Sequence, residues 1–299
     1  MSRLRRLVSH YPELLTVLVA AAIGLTVQTP LAWLASRQGI NALLIVLVFS
    51  TAVTIEPSAL RRVSAWWRPL LVTLVVGATA LPALSWLVSR VVASGSLRDG
   101  VMCVGLAPCE IASVATTAMA RGEAALSAGV LIGSTVITVA IAGPVLALEA
   151  GHASVHPAHI ILNLIVVVAL PLAVGLAVGA ARPLHERARR TALTVATVSV
   201  AALVALVAAE VHFSLGYLAV AGALLLFLTG SVTVGRLIGR TTPVPTASSI
   251  LLTTSMRDFA IAAGLATAAF GTAAAAPLGL YGVLVLLWGT GAAGWLRRR

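Results

Sequence analysis

What most constrains this chain is a succession of apolar runs, each roughly 20 residues long, that follow one another from near residue 12 to near residue 295. A run of that length crosses a hydrocarbon layer as a helix, because every backbone N–H and C=O is then satisfied within the segment. Breaks at charged, Pro and Gly positions place ten segments at about 12–35, 40–60, 68–93, 100–120, 123–149, 158–180, 191–209, 213–235, 247–270 and 273–295. The expected fold is therefore an all-α polytopic membrane protein of about ten transmembrane helices. With 60% apolar and only 10% charged residues, the chain has too little polar surface to face water.

The charge balance serves topology. All 20 basic residues are Arg, against 9 acidic ones, a ratio that in a soluble protein would suggest nucleic acid as partner. Here 16 Arg fall on one side of the expected spans and 3 (Arg37, Arg90, Arg98) on the other. By the positive-inside rule both termini are cytoplasmic, in a multi-pass cell-membrane protein whose surroundings are lipid, not nucleic acid. The absence of Lys excludes a Walker lysine and Schiff-base chemistry. Neither HExxH (His185-Glu186 has no second His at the right spacing), GxGD nor GxSG occurs, so no enzyme is expected. Cys103 and Cys109 share one segment and make no disulfide framework. The N-terminus resembles a secretory signal, but with span after span following it a retained first helix is expected. Trp66, Trp67, Trp86 and Trp288 sit near span ends, as interfacial anchors do. His152, His156 and His159 have metal-like spacing, yet Pro157 interrupts any helix there, and a solvated loop is expected.

The halves echo each other. Tyr11-Pro12 opens the first segment and His156-Pro157 the sixth. Five spans per half is odd, so the second half, 151–299, would be inserted upside down relative to the first, 1–150. Such inverted five-helix repeats are the architecture of secondary transporters, which bind where broken helices meet near the midplane.

Three charges lie where charges are expensive. Glu110 is midway along segment 4, while Arg257 and Asp258 are midway along segment 9, its counterpart in the other half. Each costs at least about 2.5–3.5 kcal/mol at a helix centre, so Arg257 is expected to pair with Glu110, Asp258 or both. One reading is a purely structural ion pair. The other is functional: Arg257 as a fork for a carboxylate or oxyanion, and one of the two carboxylates, left over from the pair, as a proton carrier. Pro108 removes a backbone donor beside Glu110. Thr253, Thr254 and Ser255 beside Arg257, and Ser113, Thr116 and Thr117 beyond Glu110, supply hydroxyls for exposed backbone or a polar ligand.

Four stretches resemble the bile acid:sodium symporter superfamily: VFSTAVTIEPSAL (48–60), VVGATALPAL (75–84), LAPCEIASVATTAMARGEAALS (106–127) and SSILLTTSMRDFAIAAGLA (248–266). Ala120 to Ser127, with its ARG and ALS, is the most specific. The resemblance implies a panel of segments 1, 2, 6 and 7 beside a core of segments 3–5 and 8–10. It also implies that segments 4 and 9 are discontinuous and cross, with sodium ions and a small organic anion bound nearby.

The resemblance fails at most ion ligands. Ser113 and Ser127 match family positions, but Val114 and Leu131 stand where the family has Asn and Thr. Thr253, Arg257 and Asp258 replace Glu, Gln and Asn, Gly77 replaces Gln, and Cys109-Glu110 replace Gly-Gly after Pro108. Sodium needs several oxygens in a small cage. The expectation is therefore secondary-active transport of a small organic anion, needing no cofactor. In it Arg257 stands in for one sodium, and coupling, by sodium or protons, falls to protons on Glu110 or Asp258. Two alternatives stay open: an arsenite-type efflux permease using the Cys109 thiolate, and a non-transporting membrane scaffold.

Overall fold

The computed structural model describes residues 12–55, 62–150, 156–181, 184–211 and 216–298. Arg3, Arg5, Arg6, Tyr11, Arg61, His152, Arg182, Arg299 and the family-like residues 56–60 lie outside the described residues. The helices are α1 (Pro12–Thr26), α2 (Gln28–Leu34), α3 (Ile40–Ala52), α4 (Trp67–Ser89), α5 (Gly95–Leu106), α6 (Ala112–Met119) and α7 (Ala124–Ala150). They continue as α8 (Pro157–Leu164), α9 (Leu170–Ala181), α10 (Glu186–Ala209), α11 (Gly216–Gly239), α12 (Val244–Ser255), α13 (Phe259–Phe270) and α14 (Ala276–Leu296). Hydroxyls inside them mostly bond back to the preceding turn, as Thr73 does to Pro69 O (2.7 Å) and Thr135 to Leu131 O (2.8 Å), so they add no exposed polarity. Outward positions carry Leu87, Val136 and Leu162, each about three-fifths exposed, which is a surface made for hydrocarbon.

The expectation of ten transmembrane helices in two inverted five-helix repeats is corrected. Among the described residues seven helices are long and apolar enough to cross a membrane: Gln28–Ala52, Val63–Ser89, Ala124–Leu148, Pro157–Ala181, Glu186–Ala209, Gly216–Gly239 and Thr272–Leu296. The cause is local. Segment 4 is divided into α5 and α6, of 12 and 8 residues, and segment 9 into α12 and α13, of 12 each. At 1.5 Å per residue none of these spans a bilayer alone. Segment 1 is interrupted as well, since α1 has 15 residues and ends before Val27. Gln28–Ala52 itself kinks at Arg37 and Gln38, whose backbone leaves the helical region.

The packing places the breaks of segments 4 and 9 at the centre. α10 runs along α1 and α3, and α3 along α9; elsewhere α4 packs on α5 and α11, α11 on α12, and α5 on α13. Residues 101–111 and 248–266 are buried throughout. Their buried members include the fully enclosed Phe259, with Phe227 and Tyr281 stacked edge to face at 6.0 Å nearby.

Candidate substrate and ion site

The first interruption is written in the sequence. Pro108 disfavours a helical Ala107, which is extended at φ −63°, ψ 150°, so α5 stops at Leu106. The second has no proline: Met256 turns extended at φ −97°, ψ 102°, and Asp258 caps α13 by accepting from Ile261 N at 2.8 Å. The two loose stretches meet as a minimal antiparallel ribbon. Glu110 N donates to Met256 O (2.8 Å), Asp258 N donates to Pro108 O (2.9 Å), and Cys109 faces Arg257 across the pair.

The neighbouring helices take up the backbone groups that the ribbon leaves free, as a low-dielectric interior demands. In this pairing the N–H groups of Cys109 and Arg257 point away from the partner strand. Ser134 Oγ accepts the first at 3.1 Å and Tyr281 Oη the second at 3.3 Å. Thr138 Oγ1 donates to the carbonyl of Leu106 at 2.8 Å. α7 and α14 thus clamp the crossing from either side. A turn at Ala120–Glu123 adds a second tie: Glu123 N donates to Ser249 Oγ at 2.7 Å, beside Gly122. A Cβ on Gly122 would stand 2.7 Å from Thr117 Cγ2 and 2.9 Å from Ser249 Oγ, so any larger residue there would displace both side chains.

Side chains alternate along an extended strand, and this sorts the charges. Cys109 and Arg257 share one face of the ribbon; Glu110 and Asp258, each one residue later, share the other. The expected pairing of Arg257 with the acids is not formed: neither carboxylate lies within 4.0 Å of the guanidinium. The Arg190–Glu186 ion pair, at 2.9 Å, is an exposed one on α10. Instead the acids are placed at helix N-termini. Asp258 caps α13, and Glu110 lies two residues ahead of the start of α6. Unpaired N–H groups and the helix dipole favour negative charge there. Glu110 Oε2 and Asp258 Oδ2 keep no hydrogen-bond partner.

Arg257 is 5% exposed. Its guanidinium makes one long contact, Nη2 to Gly105 O at 3.5 Å, and Nε has no partner. It lines a tight pocket of about 20 Å³, room for about one water, with Thr73, Gly77, Ser134, Thr138 and Thr254 among the walls. A methyl on Gly77 would lie 3.9 Å from Nη1, ordinary contact distance, so Gly77 forms the wall directly against the guanidinium. Thr254 Oγ1, buried on the same wall, is also unpartnered.

The remaining expected residues divide. Thr253 lines the pocket but donates to Ser249 O at 2.8 Å within its own helix. Ser113 donates to Cys109 Sγ at 3.7 Å and Ser127 to Thr117 Oγ1 at 2.9 Å, small buried hydroxyl contacts away from the pocket lining. Cys109 is fully buried, free, and not among the pocket-lining residues. Sequence reasoning missed Ser134, Thr138 and Tyr281, whose isolated hydroxyls in apolar runs carry no local signal. It also misplaced Trp288, which is no interfacial anchor but donates Nε1 to Ser255 Oγ at 2.8 Å beside the second break. Arg68 and Arg90 stack on Trp67 and Trp86 at 5.2 and 4.2 Å. Among the described residues no group of three or more His, Cys, Asp or Glu could hold a metal ion.

A polytopic all-helical membrane fold, with two interrupted segments meeting in its interior and buried charges at the meeting point, defines a protein of the transporter class. The model of the Sodium Bile acid symporter family matches residues 41–221, more than half of the chain, and the protein belongs to that family, whose members are transporters and not enzymes. The match includes Pro108, Cys109 and Glu110 but stops short of Arg257 and Asp258. No curated protein matches the chain.

Proposed function

We propose that the protein is a secondary-active transporter of a small organic anion, which binds to Arg257, and that its coupling ion is the proton, carried on Glu110 or Asp258. The observation that carries this reading is the buried guanidinium with an unpartnered Nε in a hydroxyl-lined pocket, turned away from both acids. A cation in that position attracts a carboxylate and offers it a planar fork. Sodium fits poorly beside it: Val114 and Leu131 present no side-chain oxygen, and the Arg257 guanidinium already holds a fixed positive charge next to Gly77. The acids on the opposite face of the ribbon sit where a proton can bind without displacing the anion. Each half of the chain, 1–150 and 151–299, supplies one strand of the ribbon, so a relative movement of the halves would act on both faces together. With Arg187, Arg189 and Arg190 clustered and exposed at the start of α10, the positive-inside rule assigns that end of the helix to the cytoplasm of a cell-membrane protein.

Counterflow in proteoliposomes tests this, with labelled acetate, benzoate and succinate as probes. The expected result is saturable counterflow of at least one probe, unchanged when choline replaces sodium and accelerated by an outside-acid gradient. Arg257→Ala should lower it about 100-fold, the scale for removing one partner of a buried charged contact. Glu110→Gln or Asp258→Asn should keep counterflow but lose the response to the gradient. Strict, saturable dependence on sodium would overturn the coupling assignment, and counterflow indifferent to Arg257→Ala would overturn the binding assignment.

A further inference from the structure

A second cavity lies away from the crossing, on the outer surface between α3 and α10. It has a volume of about 460 Å³, is open on its outer side, and is walled by Ile45, Val46 and Phe49 on one side and Ala188, Ala192 and Val195 on the other, with Ser50, Val53 and Thr191 at intervals. Helices that pack along their length normally fill such a space. Here Ala188 and Ala192 contribute only a methyl each, so a trough remains whose walls Ile45, Val46, Phe49 and Val195 are each more than a third exposed.

One end of the trough is charged. A Cβ on Gly179 would lie 2.7 Å from Val53 O. Gly179 is two residues from the end of α9, and α10 begins at Glu186, so the Val53 end of the trough is where α10 starts. The first turns of α10 carry Arg187, Arg189 and Arg190. Arg190 is held by Glu186 at 2.9 Å. Arg187 lies one turn ahead of Thr191 and Arg189 follows Ala188, so the two flank the mouth on either side. The N-cap, His185, makes no side-chain capping bond, so the start of α10, beside the same mouth, keeps its N–H groups free of a side-chain cap.

A hydrocarbon trough that opens at a membrane boundary between two arginines and a helix N-terminus matches one chemistry. We infer that it holds an anionic phospholipid, with an acyl chain between α3 and α10 and the phosphate at Arg187 and Arg189. Long Arg stems reach the headgroup level from such positions, and basic pockets between membrane helices recognise anionic headgroups. This site shares no residue with the Arg257 pocket and does not rest on the transport reading.

Native mass spectrometry of the full chain in detergent, titrated with phosphatidylglycerol or phosphatidylcholine of the same chain length, tests it. The unmodified protein should retain at least one phosphatidylglycerol with about fivefold or greater preference, the scale for one basic residue near a lipid surface. Arg187→Gln combined with Arg189→Gln should abolish the preference while leaving residual binding of both lipids, and Ala192→Trp, which fills the trough, should remove both. Equal retention of the two lipids by the unmodified protein would overturn the inference, as would a preference that survives the double Arg substitution. Stabilisation reproduced by inorganic phosphate alone would overturn it, and so would a dimer that Ala192→Trp dissociates while lipid retention stays unchanged. The double substitution touches only exposed side chains, so it decides the matter even if Ala192→Trp does not fold.

Discussion

Gly77 shows how a single residue sets the chemistry of the pocket. It backs the Arg257 guanidinium directly, and an added methyl would sit 3.9 Å from Nη1, whereas a larger side chain would compete for the same space. That distance is ordinary contact, so Gly77→Ala should be tolerated in both stability and transport. Gly77→Leu has no such room and would push the guanidinium from the cavity. Probe affinity in counterflow should then fall at least tenfold, while the protein still elutes as a folded species in size-exclusion chromatography. Retained affinity in Gly77→Leu would mean that the anion is held elsewhere. Thr254 belongs to the same residue-scale account: a buried hydroxyl with no partner is costly unless something polar comes to meet it.

At the scale of elements, the crossing survives in apolar surroundings because neighbouring helices accept what the breaks release. Ser134 on α7 and Tyr281 on α14 each accept one N–H that the ribbon turns outward. Removing either acceptor strands a buried donor, at a cost of about 1–3 kcal/mol. Ser134→Ala and Tyr281→Phe should each lower the unfolding free energy by about that amount in a denaturant titration in detergent micelles. The two sites are on opposite sides of the ribbon, so the double variant should be nearly additive. A neutral Tyr281→Phe would show that Arg257 N finds another acceptor. The same accounting explains why a 12-residue helix ends at Ser255 without any breaker there: the backbone beyond it is bound to Pro108, Glu110 and Tyr281 instead of to itself.

For the whole molecule, the seven long helices form much of the lipid-facing body, and the stretches that meet at the crossing, 101–111 and 248–266, are enclosed within it. Among the described residues, buried charge is confined to the crossing, and exposed arginines collect at chain turns. The Arg-based orientation gives a direct expectation. Cys103 and Cys109 are both fully buried, whereas His185, the N-cap of α10, is exposed. In His185→Cys the new thiol should be blocked by a membrane-permeant maleimide but not by an impermeant one added to intact cells. Labelling by the impermeant reagent would invert the assigned orientation.

Much of this is legible in the sequence because membrane insertion is a local filter. Apolar length, Arg position and Pro108 each act through their own segment, so the class of protein, the first break and the burial of Glu110, Arg257 and Asp258 can be read from one chain of letters. What they do to each other cannot. The sequence suggests an Arg–carboxylate pair because opposite charges at similar depth should attract. The folded protein separates them, since two backbone hydrogen bonds make a ribbon in which consecutive side chains face opposite ways. Likewise the second break follows from no residue at Met256; it follows from Pro108 O and Tyr281 Oη offering acceptors across the interior. Helix count suffered for the same reason, because a stretch apolar enough to span was divided by its partners. Composition alone determined that this chain lives in a membrane and carries charge at its centre, since burial of each segment depends on that segment. Only the tertiary structure decided which charge faces which cavity, because that is a property of the crossing.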